Sequence, residues 1–205
     1  VLGNHEYRGS TAAVLDYGTV SRRWEMPGRY YALTEEVADG VEVLLVFIDT
    51  VPLIDKYRDN PRKFPDAGAQ SMDEQLAWID TTLGGSDAEW KVVMGHHPVY
   101  AGTTKEVRAR ADLQQRLRPL LDRHGVDLSV AGHIHNFQHI RVPGSRVDWV
   151  VNSSASKSRK VVPFNGALFA SPETGFSLCS VSETELTLTF VNADGKILYQ
   201  YTRTE

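Results

Sequence analysis

The sequence predicts an α/β layer fold, a mixed β-sheet flanked by helices and closed by antiparallel strands. Three observations predict it. Short Val/Leu/Ile-rich runs end at Gly or Asp, amphipathic helical patterns separate them, and the last part of the chain alternates apolar and polar residues around a turn signal.

In chain order, Val1-Leu2 ahead of Gly3-Asn4-His5-Glu6 reads as the tail of a buried strand entering a loop, so earlier strands are expected upstream. Val41–Ile48, Trp90–Gly95 and Val126–Gly132 are short apolar runs suited to strands covered on both faces. Ser71 caps a predicted helix with Glu74 three residues on, and Leu76, Ile79 and Leu83 follow at helical spacing. A second helix is predicted over Asp112–His124, with Leu113, Leu117, Leu120 and Leu121 inward and Gly125 as its stop. Val147–Asn152, Gly175–Val181 and Glu185–Thr202 are assigned to a closing antiparallel group that turns at Asp194-Gly195. No repeat or linker divides the 205 residues, which are read as one domain.

Composition narrows the function. Hydrophobic residues at 41% and charged residues at 23% support a packed core. A formal charge of -4 argues against holding nucleic acid by overall field, although Lys157, Arg159 and Lys160 could meet a phosphate locally. The longest apolar run, Val43–Ile48, is far short of the roughly 18 residues a membrane helix needs, so no membrane partner is expected. A single cysteine, Cys179, cannot form an internal disulfide, and its alternating strand suggests core filling.

Five of the seven histidines fall in Gly3-Asn4-His5-Glu6, Gly95-His96-His97-Pro98 and Gly132-His133-Ile134-His135. Each segment follows a predicted strand, and ligands of open α/β sheets gather at strand carboxyl ends. Imidazole nitrogens and an amide oxygen suit borderline metal ions, and a glycine before each is expected to permit a sharp turn. Any one such histidine alone reads more simply as a solvated loop side chain; the grouping is what points to metal. His124, at a helix end, and His139, in a strand, read as structural. Asp49 reads as a turn former with Thr50 rather than a ligand.

These motifs resemble the calcineurin-like metallophosphoesterases, most closely the tartrate-resistant type of purple acid phosphatase. The likeness runs through SRRWEMPGRYYAL, FIDTV, QLAWI, LRPLLDRHGVD, AGHIHNFQ and NADGKILY, from Val1 to about Tyr199. It implies a metallophosphoesterase-type sandwich of mixed β-sheets flanked by helices, with residues 1–205 forming the C-terminal major part of one catalytic domain that lacks its first strands. By motif, Asn4, His96 and His133 resemble ligands of the divalent ion, His135 the ferric-site histidine, and His5 the catalytic histidine that contacts substrate. The implied activity is hydrolysis of small phosphate monoesters by a metal-activated hydroxide at a binuclear centre of Fe with Fe, Zn or Mn, in a secreted, periplasmic or lysosomal setting. A phosphodiesterase or nuclease of the same superfamily and a non-catalytic metal-binding or interaction fragment are the alternatives.

The family's Asp-x-Gly and Gly-Asp-x-x-Tyr motifs are absent from the chain, so its partner in a full site is expected to be an N-terminal segment of the same protein. Where animal members carry a histidine after the second motif, Ala101–Ala111 offers Lys105, Glu106, Arg108 and Arg110. The ligands Asn4, His96, His133 and His135 are neutral, and two close cations need an anionic bridge. The chain alone is therefore expected to bind at most one divalent ion and to show little phosphatase activity. The stretch from Pro52 to Met72 reads either as a gate or as a solvated connection.

Overall fold

The computed structural model describes residues 1–38, 40–152 and 156–204. The strands β1 (Tyr31–Ala38), β2 (Val41–Phe47), β3 (Trp90–Gly95), β4 (Leu128–Ala131), β5 (Phe137–Ile140), β6 (Asp148–Val151) and β7 (Ala167–Ser171) form one sheet. Its order is β1-β2-β3-β4-β6-β5-β7. A second sheet, in the order β10-β9-β8, contains β8 (Gly175–Val181), β9 (Glu185–Asn192) and β10 (Ile197–Thr204). The helices are α1 (Thr11–Asp16), α2 (Asp55–Arg58), α3 (Met72–Gly84), α4 (Val107–Arg116) and α5 (Arg118–Arg123). No helix among the described residues is long and apolar enough to cross a membrane.

The strands β2, β3, β4 and β6 run parallel, with Phe47 beside Met94, Gly95 beside Ala131 and Ala131 beside Val151. That register brings their carboxyl ends to one edge. Both faces of the large sheet are used, as the apolar runs require. Leu44, Val46 and Val93 pack toward Ile79, Leu83, Leu113 and Leu121 of the helices, whereas Val43, Val92 and Leu128 pack toward Leu186, Leu188 and Phe190 of the small sheet. Burial of a side chain such as Leu83, at 0% exposure, contributes about 1.5–3 kcal/mol.

The helix over α3 forms as its cap predicts: Ser71 Oγ accepts from Glu74 N at 3.2 Å. The second helix differs from expectation. It begins earlier, at Val107, and breaks at Leu117 into α4 and α5, because Pro119 has no N–H to extend the helix through that point. Gly125 ends α5 at φ 63° as expected.

The run Val147–Asn152 also differs from expectation. It becomes β6 and pairs parallel with β4 inside the large sheet rather than joining the closing group. The closing hairpin of β9 and β10 forms as read, with Gly195 at φ 79°. β1, whose Glu35 and Glu36 are exposed, was not foreseen; it is an edge strand, paired with β2 across Gly40 at φ 75°. Cys179 is exposed rather than core filling, because β8 is an edge strand beside an open apolar groove of about 440 Å³. The stretch 52–72 is solvated only in part: Leu53, Ile54, Tyr57, Phe64 and Ala67 are buried, whereas residues 59–63 are exposed.

Candidate metal centre

The loops after β3 and β4 are tied together at the strand ends, where Gly132 N donates to His96 O at 3.0 Å. The loop after β4 is tightly wound. His133 (φ 66°) and His135 (φ 64°) both adopt left-handed backbone around the buried Ile134. Glu106 (φ 60°) is the third such non-glycine among the described residues. Each such residue costs on the order of 1–3 kcal/mol, and such strain clusters at functional sites.

Gly3 and Gly95 act by leaving space rather than by turning. A Cβ on Gly3 would lie 2.8 Å from His96 Nδ1, and one on Gly95 would lie 2.7 Å from Thr50 Cγ2. The unusual torsions fall on the histidines themselves.

The N-terminal loop is anchored from below. Gly3 N donates to Glu6 Oε2 at 2.8 Å, and the buried Tyr7 donates its hydroxyl to Asp49 at the end of β2. Arg29 donates to the Tyr7 oxygen at 3.1 Å. Burial raises the Asp49 carboxyl to about 6, against the opposing bond from Tyr7. Asp49 also accepts from Val51 N at 3.2 Å, so it forms the expected turn and has the additional task of holding Tyr7.

This scaffold brings three of the predicted ligands together. His96 Nε2 lies 3.1 Å from Asn4 Oδ1 and 3.1 Å from His133 Nδ1. Ligand atoms about 2.0–2.2 Å from one ion sit roughly 3 Å apart, so the spacing matches a shared coordination sphere. Burial lowers His96 to about 4 and His133 to about 3, with neighbouring cations adding to the effect on His133. Both rings are therefore neutral at pH 7 and can offer lone pairs. Two imidazole nitrogens and an amide oxygen fit a borderline divalent ion.

His135 stands apart from this trio. Its Nδ1 is buried and has no hydrogen-bond partner among the described residues, and burial followed by Arg159 and Lys157 lowers its pKa. An orphaned imidazole nitrogen beside a ligand cluster suits a second ion, although Trp149 Nε1, in the core, is likewise without a partner. His5 is exposed at the rim, within electrostatic reach of His96 and His135.

His97 lies close enough to His96 and His133 to look like a ligand, all three donor atoms falling within 4.8 Å of one another. It is not available as one. Its Nδ1 pairs with Thr50 Oγ1 and its Nε2 with Tyr57 OH, each at 2.8 Å, and burial drives its pKa well down. His124 and His139 are structural, as read: His124 pairs with Asp80 at 2.6 Å and His139 with Asp148 at 2.9 Å.

Positive groups surround the site. Arg159 donates to His133 O at 3.2 Å, its N–H donates to His135 O at 2.9 Å, and Lys56 lies within electrostatic reach of His133. Lys56 carries no motif and no periodicity, so the sequence reading missed it; only the packing of α2 brings it here.

The profile of the calcineurin-like phosphoesterases matches residues 1–137, including the three loops that carry Asn4, His96 and His133. The chain belongs to the calcineurin-like phosphoesterase family. Within it, the chain is 32% identical to purple acid phosphatase 3 of Arabidopsis thaliana, over all of this chain and 57% of that protein. It is 29% identical to tartrate-resistant acid phosphatase type 5 of Mus musculus, over 98% of this chain and 64% of that protein. The chain thus spans about 57–64% of the length of these relatives.

Among solved structures, its fold is similar to that of GAP50, the anchor in the inner membrane complex of Plasmodium, with a TM-score of 0.84 at 22% identity, covering 100% of this chain and 64% of that one. A purple acid phosphatase from yellow lupin seeds matches with a TM-score of 0.62 at 15% identity, over 85% of this chain and 32% of that one. These two likenesses concern the fold. They agree with a mixed sheet flanked by helices, the architecture that the sequence motifs implied.

Proposed function

We propose that the protein takes part in metal-dependent hydrolysis of phosphate esters, with small phosphomonoesters as the substrate class. The placement of His96 Nε2 3.1 Å from both Asn4 Oδ1 and His133 Nδ1 carries this reading, together with the similarity to acid phosphatases. A bound divalent ion would supply Lewis-acid charge and lower the pKa of a water to near neutrality.

The residues of the chain divide the remaining work. Asn4, His96 and His133 hold the ion, and His135 faces a neighbouring position. His5, exposed at the rim, hydrogen-bonds the phosphoryl group and delivers a proton to the leaving alkoxide. Arg159 and Lys56 make the surroundings favourable to an anion. All four ligands are neutral, so the 205-residue chain holds at most one divalent ion with little turnover of its own.

The test is metal stoichiometry combined with hydrolysis of an aryl phosphate monoester and the corresponding bis-ester. One ion per chain and weak activity that prefers the monoester is the expected result. Two ions with robust turnover would sink the single-ion proposal, and preference for the bis-ester would replace the substrate class. His5→Ala should lower whatever turnover is present while leaving metal content unchanged; loss of metal would remove His5 from the assigned role.

A further inference from the structure

His133 presents Nδ1 to His96, which also meets Asn4, so its Nε2 points the other way. There it meets Glu106 Oε1 at 3.9 Å. The other oxygen of Glu106 contacts Lys56 Nζ, and Lys56 in turn lies over the Tyr57 ring at 4.7 Å from its centroid.

Glu106 occupies the N-cap position of α4, yet its side chain makes no capping bond to that helix. Its backbone is left-handed (φ 60°, ψ 32°), an unfavourable conformation for a residue with a long side chain. The strained backbone and the unused cap share one outcome, which is a carboxylate aimed between His133 and Lys56.

An imidazole that binds an ion through one nitrogen must carry its proton on the other, and a carboxylate facing that second nitrogen fixes the tautomer and ring orientation. The geometry points to Glu106 as the positioning residue of His133, accepting the Nε2–H so that the Nδ1 lone pair faces Asn4 and His96. The 3.9 Å separation is an ion-pair distance, longer than a hydrogen bond, so the Glu106 side chain must move closer to accept that proton. Lys56 contacts the other oxygen of the same carboxylate. Glu106 also brings negative charge to a donor set that has none, which favours retention of a divalent cation. The inference rests on reading Asn4, His96 and His133 as a metal centre.

If Glu106 were instead only the salt-bridge partner of Lys56, removing either residue would have the same small effect. The test uses Glu106→Gln, Glu106→Asp and Lys56→Met in the 205-residue protein. Long-range ¹H–¹⁵N spectra of histidine-labelled, metal-free protein at pH 7 read the His133 tautomer, and calorimetric titration with Zn²⁺ reads affinity. The wild type should show the Nε2–H tautomer. Glu106→Gln should show a tautomer mixture and bind Zn²⁺ roughly 10–100-fold more weakly. Glu106→Asp should recover part of both properties, and Lys56→Met should keep the tautomer.

Unchanged tautomer and affinity in Glu106→Gln would overturn the inference while leaving the metal centre standing. Conversely, a wild type that binds no Zn²⁺ but whose His133 tautomer still depends on Glu106 would defeat the metal reading and leave the positioning role intact. If Glu106→Gln fails to fold, the Glu106→Asp and wild-type spectra decide the matter: a wild type with the Nδ1–H tautomer overturns the assignment.

Discussion

The two ends of the parallel strands both bury histidine and polar groups, and they resolve them in opposite ways. At the amino ends of β4 and β6 the buried charges are paired. Arg203 binds Asp148 at 2.9 Å and Asp127 at 3.2 Å, His139 joins Asp148 at 2.9 Å and Tyr199 at 3.0 Å, and Lys91 N donates to Asp127 at 2.9 Å. At the carboxyl ends two imidazole nitrogens face each other at 3.1 Å, a third histidine nitrogen has no partner among the described residues, and two left-handed histidines hold the loop. Satisfied polar groups reinforce a fold; unsatisfied ones on strained backbone mark a place kept open for something else. A buried Asp-His pair such as Asp148-His139 is therefore not by itself a catalytic sign.

The contrast breaks most directly in a pair of substitutions. Asp148→Ala removes the shared partner of Arg203 and His139, leaving Arg203 only Asp127 as an ion-pair partner, and should cost about 3 kcal/mol in urea unfolding with Zn²⁺ affinity unchanged. His133→Ala should abolish calorimetrically detectable Zn²⁺ binding with little change in the melting temperature of the metal-free protein. The reverse pattern would mean that the two ends have been assigned backwards.

Acid should separate the ends by window. Because His96 and His133 stay neutral in the fold down to about 4 and 3, the unfolded chain takes up protons first. Stability of the metal-free protein should then fall as pH drops from about 6.5 toward 4. Asp49, raised to about 6 by burial, works in the opposite sense and offsets part of that loss. Burial alone would raise Asp148, but its bonds from His139 and Arg203 outweigh burial and lower it, so its contribution is lost only below about 4. Melting temperature against pH for His133→Asn and Asp148→Asn should show the upper limb reduced in the first and the lower limb reduced in the second.

Gly3→Ala sharpens the spacing argument. Its Cβ would press to 2.8 Å on His96 Nδ1, and displacement of that ring should weaken Zn²⁺ binding about tenfold, read by the same titration. The smallest effect belongs to Tyr199→Phe. Loss of its 3.0 Å bond to His139 should cost about 1 kcal/mol and leave metal affinity untouched.

Much of the fold was legible because local patterns and final packing agree. Ser71 caps α3, Gly125 stops α5, and the Asp194-Gly195 turn joins β9 to β10, each by short-range geometry that the residues themselves dictate. Where the reading failed, a long-range contact decided. Asp148–Val151 joins the parallel sheet because β4 lies beside it, and Cys179 is exposed because β8 lies at an edge.

The site divides along the same line. Residue type and strand-end position in the sequence determined that Asn4, His96 and His133 could be ligands, because imidazole and amide chemistry at the ends of parallel strands suits an ion. Only the tertiary structure separated His96 from its neighbour His97. Thr50 from the loop after β2 and Tyr57 from α2 take up both nitrogens of His97, while the ring of His96 turns toward Asn4 and His133. Hydrogen-bonding capacity is used up by partners distant in the chain, and adjacency in sequence does not record which of two identical side chains will find them.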